Sequence, residues 1–206
     1  WINKYPTHKN ASYVIQPYFA NNGELTPIKN AVVQWINTNY DQENANHIIQ
    51  SFLNRRNGGE LNSIENSIIK WINMYSPQNY CGGVIKSYLQ CEGSVKEIEP
   101  ACISWIKLNN NINNTNFYGG VMKAYLKSKG TLTEIEPDCT SWINTDTNFQ
   151  NDTELYVRVV KYYLESGGTY QNIRTAITNF AKNLKDENAK NSFEYLKQYL
   201  QSKNIL

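Results

Sequence analysis

Apolar and polar positions follow one long period along this chain. Five times an isoleucine is followed seven residues later by a large aromatic: Ile28 and Trp35, Ile64 and Trp71, Ile98 and Trp105, Ile135 and Trp142, Ile173 and Phe180. A glycine stands five residues before each isoleucine, at Gly23, Gly59, Gly93, Gly130 and Gly168. Before each glycine come two aliphatic residues and then an aromatic: Val14-Ile15 with Tyr18, Ile48-Ile49 with Phe52, Val84-Ile85 with Tyr88, Val121-Met122 with Tyr125, Val159-Val160 with Tyr163. Tyr195-Leu196 with Tyr199 gives a sixth copy, and successive aromatics lie 34, 36, 37, 38 and 36 residues apart. A period of that length is one helical hairpin, which buries its apolar stripe only against its neighbours.

The fourth unit shows the expected elements. From about residue 116, Val121, Met122 and Tyr125 recur at helical spacing until Gly130, read as a left-handed helix stop. Thr131 and Glu134 have capping-box spacing, and Leu132, Ile135, Cys139 and Trp142 step along one face of a second helix. Pro137 and Pro100 occupy one repeat position, which predicts that the second helix opens with a short turn and becomes regular from the proline. Pro17 predicts a kink or a late start in the first helix. The Asn-rich connectors 109–116 and 146–153 are expected as exposed loops, and Asn57-Gly58-Gly59 as a turn. Trp1-Ile2-Asn3 repeats the ending Trp35-Ile36-Asn37 of a second helix, so the chain is expected to open at the end of a hairpin.

These readings predict an all-α chain. It is an α-solenoid of about five helix-turn-helix repeats of 34–38 residues plus a terminal helix, one domain over 1–206. Its units span approximately 10–37, 44–73, 79–107, 116–144 and 153–182, with the terminal helix at 187–204.

Charge adds little. Twenty Lys and Arg against 18 Asp and Glu give a net charge of +2, so bulk electrostatics points neither to a strong nucleic-acid binder nor to an acidic tail. No apolar run approaches the about 18 residues that cross a bilayer, and no basic-then-apolar leader is present, so the chain is read as soluble and intracellular. The four cysteines, Cys81, Cys91, Cys102 and Cys139, lack metal or redox spacing. Cys102 and Cys139 share a repeat position and read as small buried apolar residues with free thiols. Sequons at Asn10, Asn113 and Asn151 fit chance in a chain with thirty Asn.

Catalytic chemistry is thinly represented. His8 and His47 stand alone in polar segments, and no zincin, phosphate-loop or nucleophile-elbow motif occurs. Neither a metal nor a cofactor is expected. The tryptophan column lies in the apolar phase and is expected as core. Gly58-Gly59 and Gly167-Gly168 read as helix ends, while Gly82-Gly83 and Gly119-Gly120 fall in the first turn of the first helix, where they are expected to permit close packing or to expose backbone amides. The position after each aliphatic pair holds Gln16, Gln50, Lys86, Lys123, Lys161 and Lys197, a column that a solenoid would align on one face. With Tyr118 and Tyr156 nearby, these are the candidate binding residues.

The order aliphatic pair, Tyr, Gly and a large residue ending the second helix resembles the tricopeptide superfamily of helical repeats. Within it, Tyr118-Gly119-Gly120-Val121-Met122 with Tyr125 and Gly130 is similar to the first helix of pentatricopeptide repeats, which bind RNA. That resemblance implies base reading through the residue after the Tyr118-type position, here Ser12, Asn46, Gly82, Gly119 and Val157; Ser12 and Asn46 carry hydrogen-bonding side chains. Tetratricopeptide repeats, the other branch, imply peptide capture on a concave face.

The expected function is a non-enzymatic scaffold binding a protein or peptide along the face of the first helices. It would work alone or within a longer array or larger complex, with no membrane partner. The alternative is a pentatricopeptide-like binder of RNA or single strands, its lysines following phosphates. A fragment of an α/α toroid enzyme ranks third.

Overall fold

The computed structural model describes residues 1–54, 61–110 and 115–205. Among them every regular element is helical: α1 (Ser12–Ala20), α2 (Lys29–Asn39), α3 (Ala45–Leu53), α4 (Glu65–Tyr75), α5 (Cys81–Gln90), α6 (Val95–Leu108), α7 (Thr115–Lys127), α8 (Glu136–Ile143), α9 (Asp146–Asn151), α10 (Thr153–Glu165), α11 (Tyr170–Lys182) and α12 (Glu187–Ser202). The chain divides into two compact units, Trp1–Trp105 and Ile106–Leu206. In the first, α1 packs on α3 and α3 on α5, while α2 lies against α3 and α4 against α5. In the second, α7 packs on α10 and α10 on α12, with α8 against α11. Within each unit, the first helix of a hairpin therefore touches the first helix of the next.

The aromatic column is core. Trp35, Trp71 and Trp105 are fully buried, as are the ring positions Phe52, Tyr88, Tyr125 and Tyr163. Three indoles also tie the chain: Trp35 Nε1 donates to His8 O at 3.2 Å, Trp71 Nε1 to Gln42 O at 3.1 Å and Trp105 Nε1 to Gln78 O at 3.0 Å. Each second helix thus holds the backbone just ahead of the first helix of its own hairpin. Gly82 and Gly119 make room for this packing, since a Cβ at either would lie within 3.0 Å of the Trp105 or Trp142 ring.

The repeat glycines do a different job from the one expected. The left-handed residue is the one before them: Asn22, Glu92 and Lys129 have φ of 58°, 64° and 64°, and Gly167 has 95°. The glycine itself follows, its N–H donating to the aromatic's carbonyl five residues back, as in Gly23 to Tyr18 O (2.8 Å), Gly93 to Tyr88 O (3.1 Å), Gly130 to Tyr125 O (3.1 Å) and Gly168 to Tyr163 O (3.0 Å). This is a Schellman stop with the glycine in its second outer position. A side chain is excluded there because a Cβ would lie within 3.0 Å of the ring of Tyr18, Tyr88, Tyr125 or Tyr163. Gly58 and Gly59 lie outside the described residues.

Three second helices open with a short 3-10 turn, Thr26–Ile28, Leu61–Ser63 and Leu132–Glu134. The chain then bends at the repeat isoleucine, with φ, ψ of −123°, 4° at Ile28, −133°, 3° at Ile64 and −121°, 7° at Ile135. Pro137 sits in the first turn of α8 as expected. Pro100 does not: α6 is regular from Val95 and carries the proline inside it. Pro17 is likewise inside α1, which starts on time at Ser12. Thr131 makes no side-chain cap, and Glu134 instead meets Lys107 Nζ at 3.0 Å. The connector at 146–153 is not an exposed loop but contains α9, where buried Phe149 packs on the Tyr156 and Phe180 rings at 5.7 and 5.3 Å. Beside it Asn148 is also buried, its Nδ2 donating to Trp142 O at 2.6 Å.

Three Trp-Ile-Asn triplets link one hairpin to the next. Asn3 Nδ2 donates to Pro27 O at 3.1 Å, Asn37 Nδ2 to Ser63 O at 2.9 Å and Asn144 Nδ2 to Asn172 O at 3.1 Å, each acceptor immediately preceding a repeat isoleucine. Pro27 O and Ser63 O lie just outside the ladders of α2 and α4, which begin after the bend. Where the triplet reads Trp105-Ile106-Lys107, the lysine meets Glu134 in the same register.

Candidate functional site

The column that follows each aliphatic pair is neither buried nor fully exposed. Gln16, Gln50 and Lys86 in the first unit, and Lys123, Lys161 and Lys197 in the second, are all half-buried. The cause is local: each follows a fully buried residue, Ile15, Ile49, Ile85, Met122, Val160 or Leu196, and so lies at the edge of its helix's buried stripe. Lys161 and Lys197 have close partners. Lys161 Nζ accepts company from three phenol rings, Tyr162, Tyr195 and Tyr199, at 5.9, 5.6 and 5.7 Å from their centroids, and donates to Tyr195 Oη at 2.9 Å. The Tyr195 hydroxyl keeps its pKa above the ordinary lysine value, and Glu165 at 3.9 Å adds to that. Lys197 meets Glu194 at 3.5 Å. The second unit's column therefore carries its own counter-groups rather than a bare positive stripe.

Tyr118 and Tyr156 belong to the core and not to this face, being 3% and 0% exposed. Tyr118 Oη donates to Ile106 O at 3.0 Å, and Tyr156 stacks on Trp142 at 6.0 Å. The positions after the Tyr118-type residue are also inside: Ser12, Asn46, Gly82, Gly119 and Val157 are all buried. Of these, Asn46 borders an open pocket with Glu43, Asn44, His47 and Tyr80, and Val157 borders another with Glu154, Arg158 and Tyr195.

In the first unit α1 and α3 border an open groove of about 880 Å³. Gln16 and Gln50 face it, together with His47 and with Asn21, Asn22, Ser51 and Asn54, which the sequence pattern did not single out. Asn54 stands four residues after Gln50 on the same helical face, a spacing that could have signalled it. Among the described residues, none that lines it is Lys, Arg, Asp or Glu.

Chemistry elsewhere is quiet. Among the described residues no group of three or more His, Cys, Asp or Glu could hold a metal ion, and no helix is long and apolar enough to cross a membrane. His8 caps a turn by accepting from Asn10 N–H. All four cysteines are free, and burial pushes the thiols of Cys81, Cys102 and Cys139 well above the ordinary value of 9.0, which keeps them protonated and poor nucleophiles at neutral pH. No family model, curated protein or solved structure matches the chain.

Proposed function

We propose that the chain is a non-enzymatic helical-repeat scaffold of the solenoid type that binds a protein or peptide along the face of its first helices. The observation that carries this reading is the direct packing of first helix on first helix within each unit, which leaves Gln16, Gln50 and Lys86, and separately Lys123, Lys161 and Lys197, half-exposed at one repeat register. Half-buried long polar side chains on a rigid support lose little entropy on binding and suit a polar interface. The same facts argue against a phosphate track, since Lys161 and Lys197 already have partners and a lysine with a carboxylate beside it releases fewer counterions. Tyr118 and Tyr156 have no part in the interface, because both are buried.

A photo-crosslinking residue placed at Gln50 or Lys123, with one at exposed Lys70 of α4 as control, tests this against pools of short peptides and of single-stranded RNA. Adducts with peptide at the first two positions and not at the third are expected. RNA adducts alone, or adducts only at the third position, would overturn it.

A further inference from the structure

The two open pockets beside Asn46 and Val157 occupy one place in the repeat. Glu43, Asn46, His47 and Tyr80 line the first, at the head of α3 and α5. Glu154, Val157, Arg158 and Asn191, each 111 residues further along, line the second, at the head of α10 and α12. Resting on the reading above, we infer that the first pocket receives a basic side chain of the bound peptide, arginine in preference to lysine.

The second pocket shows what this position holds. Glu154 Oε1 accepts from Arg158 Nε at 2.9 Å and lies 2.7 Å from a second nitrogen of the same guanidinium, so a carboxylate and a planar cation meet there within one helix. In the first unit Glu43 keeps the carboxylate, but the residue four positions on is His47, which has no guanidinium fork. The first pocket is also the roomier, about 510 Å³ against about 260 Å³. A guest arginine would restore in the first unit the pair that Arg158 completes in the second.

The walls of the first pocket suit that guest. Glu43 brings the charge, and Tyr80 brings a ring that is backed by the buried Trp71 ring at 6.0 Å and by Tyr75 at 6.3 Å, which hold it in place before anything binds. A guanidinium can pair with the carboxylate and lie on the phenol with one planar group, whereas an ammonium is a point charge on a flexible stem. The local field is negative: burial and then Glu43 push the Tyr80 phenol up to about 12, and after burial Asp41 and Glu43 act on Tyr75 in the same direction. Helix N-termini ordinarily attract anions, and α3 and α5 both begin at this pocket. The second unit answers that objection, because α10 and α12 begin at its pocket and Arg158 sits there all the same.

The test follows the signals of Asn44, Asn46, His47 and Tyr80 in the ¹⁵N-labelled full chain. The titrants are four pools of end-blocked short peptides, otherwise uncharged, that carry one arginine, lysine, citrulline or glutamate, and single-stranded RNA. The arginine pool is expected to shift these signals at the lowest concentration, and the citrulline pool, which keeps the shape without the charge, to bind about tenfold more weakly. Glu43→Gln should bring the arginine pool down to the citrulline level and leave the citrulline pool unchanged. His47→Arg, which gives the first unit the guanidinium of the second, should fill the pocket and weaken the arginine pool about as much; it serves should the Glu43 variant lose its fold. Equal binding of the arginine and citrulline pools, tighter binding of the glutamate pool, or arginine binding that both variants leave untouched would overturn this inference while leaving peptide binding along the first helices intact. Response to RNA alone, or to none of the titrants, would overturn both.

Discussion

Lys129 and Gly130 divide between them two tasks that a helix-stopping glycine usually performs alone. Lys129 takes the left-handed backbone, φ 64°, while Gly130 gives up its side chain so that the Tyr125 ring can lie on it. A β-carbon in the left-handed region costs about 1–2 kcal/mol, so Lys129→Gly is expected to stabilise the chain by about 1 kcal/mol in urea denaturation. Gly130→Ala should destabilise it by about 1–3 kcal/mol through overpacking against the ring. Were Gly130 the left-handed residue, Lys129→Gly would give no such gain. Trp105 offers a second check. Trp105→Ala should cost about 3–5 kcal/mol and Trp105→Phe far less, the latter losing mainly the bond to Gln78 O. The presence of a glycine every repeat was plain in the sequence, but its reason was not, because periodicity reports that a position is constrained and says nothing about whether backbone angle or a neighbouring ring constrains it.

At the scale of the element, the helices other than α9 and their order were legible from spacing alone, since the apolar residues of each recur every three or four positions along one face. Boundaries were less so. Pro100 and Pro137 share a repeat position, yet one sits inside α6 and the other opens α8. The cap expected of Thr131 is absent, with Glu134 turned to Lys107. The connection between successive second helices was in view as the repeated Trp-Ile-Asn, but its hydrogen-bond acceptor stands 24 to 28 residues further on, beyond the reach of local pattern reading. Asn37→Ala removes both the bond to Ser63 O and the one Asn37 Oδ1 accepts from Ser67, and should cost about 1–2 kcal/mol by thermal or urea denaturation. Lys107→Ala, which breaks a pair whose side chains are 46% and 57% exposed, should cost less than about 1 kcal/mol. Equal losses from the two variants would mean that the asparagine link is no stronger than a surface ion pair.

Across the whole molecule, titration follows burial. The thiols of Cys81, Cys102 and Cys139 and the phenols of Tyr88 and Tyr118 are all raised, burial being the first cause in each, and Tyr80 is pushed up to about 12 by burial and its bond to Glu43. In the unfolded chain these groups ionise near 9.0 and 10.0, while in the folded chain they hold their protons to higher pH. Their contribution to stability is therefore complete below pH 9 and is lost progressively as pH rises above it. Denaturation midpoints should stay level across neutral pH as far as these groups govern them and fall in alkaline buffer, less steeply in the Tyr88→Phe/Tyr118→Phe variant. An alkaline fall that this double variant leaves unchanged would mean that the two phenols do not govern it. The candidate face was only partly legible, because Gln16 and Gln50 stood out by register whereas Asn21 and Asn54 join them through the packing of α1 on α3. Tyr118 and Tyr156 looked like interface residues only because sequence proximity to the column cannot reveal which way a ring points.

Fluorescence anisotropy of the full chain against labelled pools of short peptides and of single-stranded RNA, at low and moderate salt, tests the central claim most directly. Binding of peptide that survives moderate salt, and is weakened by substitutions at Gln16 and Gln50, is the predicted result. Binding of RNA that collapses with salt and in the Lys86→Gln/Lys123→Gln/Lys161→Gln variant, with no peptide bound, would contradict it.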